Sequence, residues 1–124
     1  MILVCDEDVG TRVPQALKLV GSNVLSFRDA GLLGAPDVQW LTQAGQQGWL
    51  VFSCNKRMLD VPIERDTIIR ERVGIVFLTS GQERLPNTLR LILSKWDWLD
   101  LIDRTDPRPF AHFLYPSGRT RKVL

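Results

Sequence analysis

The stretch Ile2-Leu3-Val4-Cys5-Asp6-Glu7-Asp8 decides the fold. An apolar run opens almost at the first residue and stops abruptly in three consecutive carboxylates. A run of this kind suits a strand buried on both faces, as in a parallel α/β sheet. Adjacent acids repel one another unless something cationic sits among them. Ligand sites in open parallel sheets lie just beyond the carboxyl ends of the strands. The stretch therefore marks a candidate divalent-metal site. Its plainer alternative is a polar turn between strand and helix.

Outward from this stretch the same signal returns three times. Val24-Leu25-Ser26-Phe27, Trp49-Leu50-Val51-Phe52 and Gly74-Ile75-Val76-Phe77-Leu78 each read as a strand. Between Asp8 and Val24, Val9, Val13, Leu17 and Val20 recur at helical spacing, with Pro14 in the first turn and Gly21 as a stop. Arg28 to Gly34 reads as a glycine-bearing loop. Ala35-Pro36-Asp37 begins a helix with an acid in its first turn, an apolar stripe of Val38, Leu41 and Ala44, and an end bracketed by Gly45 and Gly48. Pro62 opens another helix to about Arg72. Pro86 opens the longest one, in which Leu89, Ile92, Leu93, Trp96, Leu99 and Ile102 form a single continuous apolar face. Phe110 to Tyr115, the turn Pro116-Ser117-Gly118, and Arg119 to Leu124 read as an antiparallel hairpin.

Strands alternating with helices predict one α/β domain over residues 1–124. It is expected to be a three-layer α/β/α structure with a mainly parallel sheet and a C-terminal antiparallel hairpin. With 124 residues, 44% of them hydrophobic, the chain can bury a real core. A net charge of +2 is too small to announce nucleic-acid binding, although the one acidic cluster lies in the first half and the excess arginines in the second. No apolar stretch has the length of a membrane span and no basic-then-apolar leader precedes the first strand, so the expected location is the cytoplasm, away from membranes. Cys5 and Cys54 each sit near the end of an apolar run and read as buried free thiols. His112 is the only histidine, which leaves no zinc-ligand spacing.

In a parallel sheet the four strand ends share one rim. That rim would collect Asp6-Glu7-Asp8, Arg28-Asp29, Ser53-Cys54-Asn55 and Thr79-Ser80, with Asp37 facing it from a helix start. Oxygen ligands without histidine or reactive cysteine suit Mg²⁺ or Mn²⁺, which take one or two carboxylates plus waters and phosphate oxygens. Each residue also has a duller reading. Asp37 serves equally as a first-turn helix acid, Asp29 as a turn cap and Asn55 as a turn residue. Lys56 and Arg57 are either phosphate contacts or solvated surface. The same choice holds for the Arg119-Thr120-Arg121-Lys122 run. The four tryptophans read mostly as core, with one exposed ring able to stack a base.

Val4-x-Asp6-Glu7, then Arg28-Asp29-x-Gly31-Leu32-x-Gly34-Ala35-x-Asp37, then Leu50-Val51-x-Ser53-x-Asn55-Lys56, resembles the PIN-like domains. Pro62-x-Glu64, Gly74 to Leu78 and Arg108-Pro109-Phe110 extend the resemblance over nearly the whole chain. Within that family it is most similar to the small toxin-type members and a related uncharacterised branch. The resemblance implies a metal-dependent endoribonuclease, often the toxin of a toxin–antitoxin pair. It implies RNA as substrate, an antitoxin protein as partner, Mg²⁺ or Mn²⁺ as cofactor, and leaves room for a homo-oligomer. It makes Asp6 the first-strand metal ligand, Asp37 the acid of the middle helix and Ser53 the hydroxyl residue of a Thr-x-Asp motif. Asn55 stands where that motif carries its aspartate, with Asp29, Asp8 and the loop-borne Asp60 as compensating acids. The serious alternative is a weakened module that binds RNA or a partner protein without cutting. A phosphorelay receiver is rejected, because Asn55 occupies the phosphoacceptor position and no later strand carries the required lysine.

Overall fold

A computed structural model describes residues 1–81 and 84–124. Six strands form one sheet: β1 (Leu3–Cys5), β2 (Val24–Ser26), β3 (Leu50–Ser53), β4 (Gly74–Leu78), β5 (Phe110–Leu114) and β6 (Thr120–Lys122). Their spatial order is β2-β1-β3-β4-β5-β6. The first five are parallel, and β6 returns antiparallel to β5 as the expected hairpin. Cys5 lies opposite both Ser26 and Phe52, and Phe52 opposite Val76. The strand ends are therefore level, and one rim collects them.

Alternation along the strands sorts the core into two layers. Leu3, Cys5, Leu50, Phe52, Val76 and Leu78 pack with α1 (Arg12–Leu19), α5 (Leu85–Ser94) and α6 (Trp96–Thr105). Val4, Val51, Ile75 and Phe77 point the other way, onto α2 (Phe27–Ala30), α3 (Asp37–Gln47) and α4 (Pro62–Arg70). The architecture is the three-layer α/β/α sandwich. No helix among the described residues is long and apolar enough to cross a membrane.

Several local expectations are corrected. Phe27 does not extend β2; Ser26 caps a short helix whose third residue, Asp29, completes a capping box. Val9 belongs to a separate 3-10 turn over Glu7–Val9, and Val20, just past α1, is 62% exposed. The long helix after Pro86 is two helices. The Lys95 N–H is shared by the Leu91 and Ile92 carbonyls, closing α5, and the chain restarts at Trp96. A straight helix of that span would be about 30 Å long, and the break keeps Ile92, Leu99 and Ile102 on one core layer. The end of α3 at Gln47 is bracketed by Gly45 and Gly48 as expected, and at Gly45, inside the helix, a Cβ would stand 2.2 Å from the Glu71 carbonyl oxygen. Only glycine lets α3 and the end of α4 approach so closely. Gly48, at φ +69°, is the true cap. Trp40 and Trp49 are buried, while Trp96 and Trp98 pack partly exposed against the other layer.

Candidate active site

β1 ends at Cys5, so Asp6 is the first residue free of the sheet, and its N–H still bonds the Phe52 carbonyl of β3. Asp6 keeps the phase of Val4 and Ser53 that of Val51, so both project toward the α3–α4 layer. Ser53 is fully buried, and its hydroxyl lies 3.0 Å from Asp6 Oδ2 and 3.3 Å from Asp8 Oδ2. The hydroxyl has one proton to donate, so the two carboxylates compete for it. Its oxygen also accepts the Asn55 N–H at 3.0 Å. Asp6 Oδ1 accepts the Glu7 N–H, and Asp8 Oδ1 accepts the Cys54 N–H.

These carboxylates are crowded and poorly hydrated. Burial, followed by the Asp8 charge, pushes Asp6 up to about 7, against the pull of the Ser53 hydroxyl and the Glu7 N–H. Burial likewise raises Asp8, with the Asp37 charge adding to it and the Cys54 N–H and Ser53 hydroxyl opposing. Asp37, the first residue of α3, accepts the Trp40 Nε1–H at 2.9 Å, which fixes its side chain. Glu7 Oε1 accepts the Gly34 N–H at 2.6 Å and ties the loop leading into α3 to the end of β1.

Asp6, Asp8, Asp37 and Asn55 thus share a cavity of about 270 Å³ with Glu7. Asp29 is not among its lining residues. Its carboxylate pairs with Lys18 and accepts the Ser26 N–H, and the Lys18 contact, first, holds it down at about 2. The capping-box pattern Ser26-x-x-Asp29 carried that role in the sequence. Asp60 closes the 3-10 turn Lys56–Asp60 and is likewise absent from the lining. One acid that composition and spacing did not single out as a ligand is Glu64, in the first turn of α4. Burial first, then the neighbouring Asp37 carboxylate, push it up to about 7. No local signal places it there; it arrives through the packing of α4 on α3.

A second cavity, of about 600 Å³, shares Asp8 and Asn55 with the first and is lined by Lys56, Arg57 and the Thr79-Ser80-Gly81 turn. Cys54 also borders it; burial, then Asp8 and Asp6, push its thiol up to about 12, so it stays neutral there. Cys5 is buried and free, and Cys54 is free and half-buried. The cations of β6 and of the turn before it lie farther along the sheet. Arg119 stacks over the Tyr115 ring at 4.7 Å, Lys122 pairs with Asp106 at 3.6 Å, and Arg121 is exposed. Arg108 is spent at the opposite rim, on Asp103 and the Gly48 and Trp49 carbonyls.

Among the described residues no three Asp, Glu, His or Cys side chains form a ready-made metal-holding group. The donor set still fits Mg²⁺ or Mn²⁺, which need only one or two carboxylates and complete their shells with water. A cation would relieve the crowding that raises Asp6 and Asp8.

A family model described as a PIN like domain matches residues 1–80, the segment from β1 to β4 that holds Asp6, Asp8, Asp37 and Glu64. Comparisons with curated proteins and with solved structures found no match.

Proposed function

The chain belongs to the PIN-like domain family, and on that premise we propose that it is a metal-dependent endoribonuclease. Its finer form is the toxin of a toxin–antitoxin pair, held in check by a cognate antitoxin protein. The observation that carries the nuclease reading is the crowding of Asp6 and Asp8 around one Ser53 hydroxyl, with Asp37 in the same cavity. Asp6, with Asp8 or Asp37, would hold Mg²⁺ or Mn²⁺. Such an ion supplies positive charge for a phosphoryl oxygen and lowers the pKa of a bound water.

The residues of the chain divide the remaining work. Ser53 donates to a carboxylate and fixes its rotamer while Asn55 holds the hydroxyl in turn through its N–H. Glu64, pushed up to about 7 by burial and by Asp37, would keep a proton on the α3–α4 wall near neutral pH, available to a leaving oxygen. Lys56 and Arg57 bring cations to the phosphate side. Asp29, tied to Lys18, has no part in this proposal.

One observation favours the weakened-module reading: Asn55 borders both cavities and contributes no charge there. Cleavage of a structured RNA with Mn²⁺, comparing wild type with Asp6→Ala, decides between the two. Metal-dependent cleavage that Asp6→Ala and chelation both abolish supports the nuclease; RNA binding without cleavage supports the module. Growth arrest on expression, relieved by Asp6→Ala, tests the toxin form.

A further inference from the structure

The sheet ends at β6, whose outer edge meets no other strand among the described residues. Its pairing with β5 decides which backbone groups stay open. Tyr115 donates its N–H to the Arg119 carbonyl and Val123 donates its own to the Ala111 carbonyl. Arg119, Arg121 and Val123 therefore turn their backbone toward β5, and Thr120 and Lys122 turn their N–H and C=O groups outward. Side chains alternate with the same period. Thr120 and Lys122 stand with Leu114 on the α5–α6 layer, whereas Arg119, Arg121 and Val123 stand with Phe113 on the α3–α4 layer. Lys122 has a carboxylate, Asp106, at 3.6 Å. Arg119 and Arg121 are exposed and have no carboxylate partner among the described residues, and Arg119 is held over the Tyr115 ring.

We propose that β6 takes a further strand from an extended acidic segment of a partner protein. Main-chain bonds to Thr120 and Lys122 seat the segment, and its alternate side chains supply the selection. Arg119 and Arg121 stand two residues apart on one face, about 7 Å, which is the spacing of carboxylates at alternate positions of an added strand. The next position on that face lies beside Val123 and takes an apolar side chain. The face shared with Lys122 takes uncharged side chains, because Asp106 already balances that lysine. The segment therefore reads acid-x-acid-x-apolar in one direction or the other. Charge on an edge strand keeps other strands away, and here it does so selectively: a second copy would bring the β6 cations against their own kind. An RNA strand would engage the cations and leave the outward N–H and C=O groups of Thr120 and Lys122 unused. β6 is three strand spacings from β3, about 14 Å, so this surface goes beyond the nuclease reading and does not depend on it.

The test is fluorescence anisotropy with the labelled peptide Val-Thr-Glu-Thr-Glu-Thr-Val, whose side-chain order is the same in both directions. Wild type is expected to bind it and to bind Val-Thr-Lys-Thr-Lys-Thr-Val about tenfold more weakly. Arg119→Ala/Arg121→Ala is expected to lose about fivefold in affinity for the acidic peptide, and Arg119→Glu/Arg121→Glu to prefer the lysine peptide. Arg70→Ala/Arg104→Ala removes equal charge from exposed sites at the ends of α4 and α6 and is expected to change nothing. N-methylation of the peptide reads the backbone pairing. Only one set of alternate amides points at β6, the threonines in an antiparallel strand and the glutamates in a parallel one. Methylating one set is therefore expected to abolish binding and methylating the other to spare it. Binding of neither peptide overturns the added strand. A charge preference that survives methylation of either set makes the edge a general polyanion surface, RNA included, and overturns it as well; so does loss of binding with both sets. Self-association of the free chain that Arg121→Glu abolishes would put a second copy on the edge and likewise overturn it.

Discussion

The Glu64 carboxyl on α4 lies beside Asp37 at the head of α3, and burial first, then this neighbour, push it up to about 7. Two carboxylates that close repel, and a proton held on one of them relieves the repulsion. Burial and Asp37 hold Glu64 up in this way, while burial and Asp8 push Asp6 up to about 7. The acidic pocket of the metal-free chain is therefore a proton-holding pocket around neutral pH.

A pH dependence of stability follows. Unfolded carboxyls titrate near 4, so the folded chain binds more protons than the unfolded chain between about pH 4 and about pH 7. The stabilisation contributed by Asp6 and Glu64 is complete below the unfolded value and is lost as pH rises through about 7. Asp29, held at about 2, has the opposite sign but acts only below about pH 4. Urea unfolding in EDTA is expected to give falling stability from about pH 5 to about pH 8. Glu64→Gln, uncharged throughout, is expected to flatten that fall; a profile that rises over the same range contradicts the assignment.

Divalent metal is expected to reverse the penalty. An ion bound only by the folded chain adds about 2.7 kcal/mol at about 100 times its Kd, on the order of 10 °C in Tm for a chain of this size. Thermal melts with Mn²⁺ should show this gain in wild type and in Asp29→Asn, whose carboxylate is committed to Lys18. Asp6→Asn is expected to lose most of it. Equal gains in wild type and Asp6→Asn would remove Asp6 from the metal site.

The close approach of α3 and α4 is a second test of how Glu64 reaches Asp37. In Gly45→Ala the new Cβ would meet the Glu71 carbonyl oxygen at 2.2 Å, so one helix must shift. The overlap is expected to cost about 1–3 kcal/mol, more than the ~0.5–1 kcal/mol that alanine gains inside a helix. Chemical denaturation checks the sign. A variant as stable as wild type would mean that the helices do not pack on Gly45, and the route that delivers Glu64 would need another explanation.

What the sequence carried, and what it withheld, follows the range of the interactions. β1, β3 and β4 were legible because Leu3 to Cys5, Leu50 to Ser53 and Gly74 to Leu78 are buried throughout, which a run of apolar residues records directly. Asp6, Ser53 and Asn55 then followed as the residues just beyond or at those ends. Asp29 reads in the sequence as ligand or turn cap alike: its cap on Ser26 is local, whereas its partner Lys18 lies across a loop. The break at Lys95 left no trace because the apolar periodicity runs straight through it. Glu64 was invisible as a site residue for a different reason: only the packing of one helix on another brings it to Asp37.

Asn55 carries the sharpest prediction. It borders both cavities, and its N–H anchors the Ser53 hydroxyl that Asp6 and Asp8 share. Asn55→Asp adds a negative charge at this junction without changing the side chain's size. In the metal-free protein the added charge raises the neighbouring carboxyl pKa values further, so the variant is expected to be less stable in EDTA at about pH 7 than wild type. With Mn²⁺ the sign inverts, because a third carboxylate strengthens an oxygen-ligand site. The expected result is tighter Mn²⁺ binding by calorimetry and faster metal-dependent RNA cleavage. The new charge also sits beside Lys56 and Arg57, so a weaker hold on RNA in EDTA is expected to accompany the gain. Lower activity together with weaker Mn²⁺ binding would mean that the asparagine is matched to Asp6 and Asp8 as they stand. Unchanged metal binding would place the ion away from Asn55 altogether.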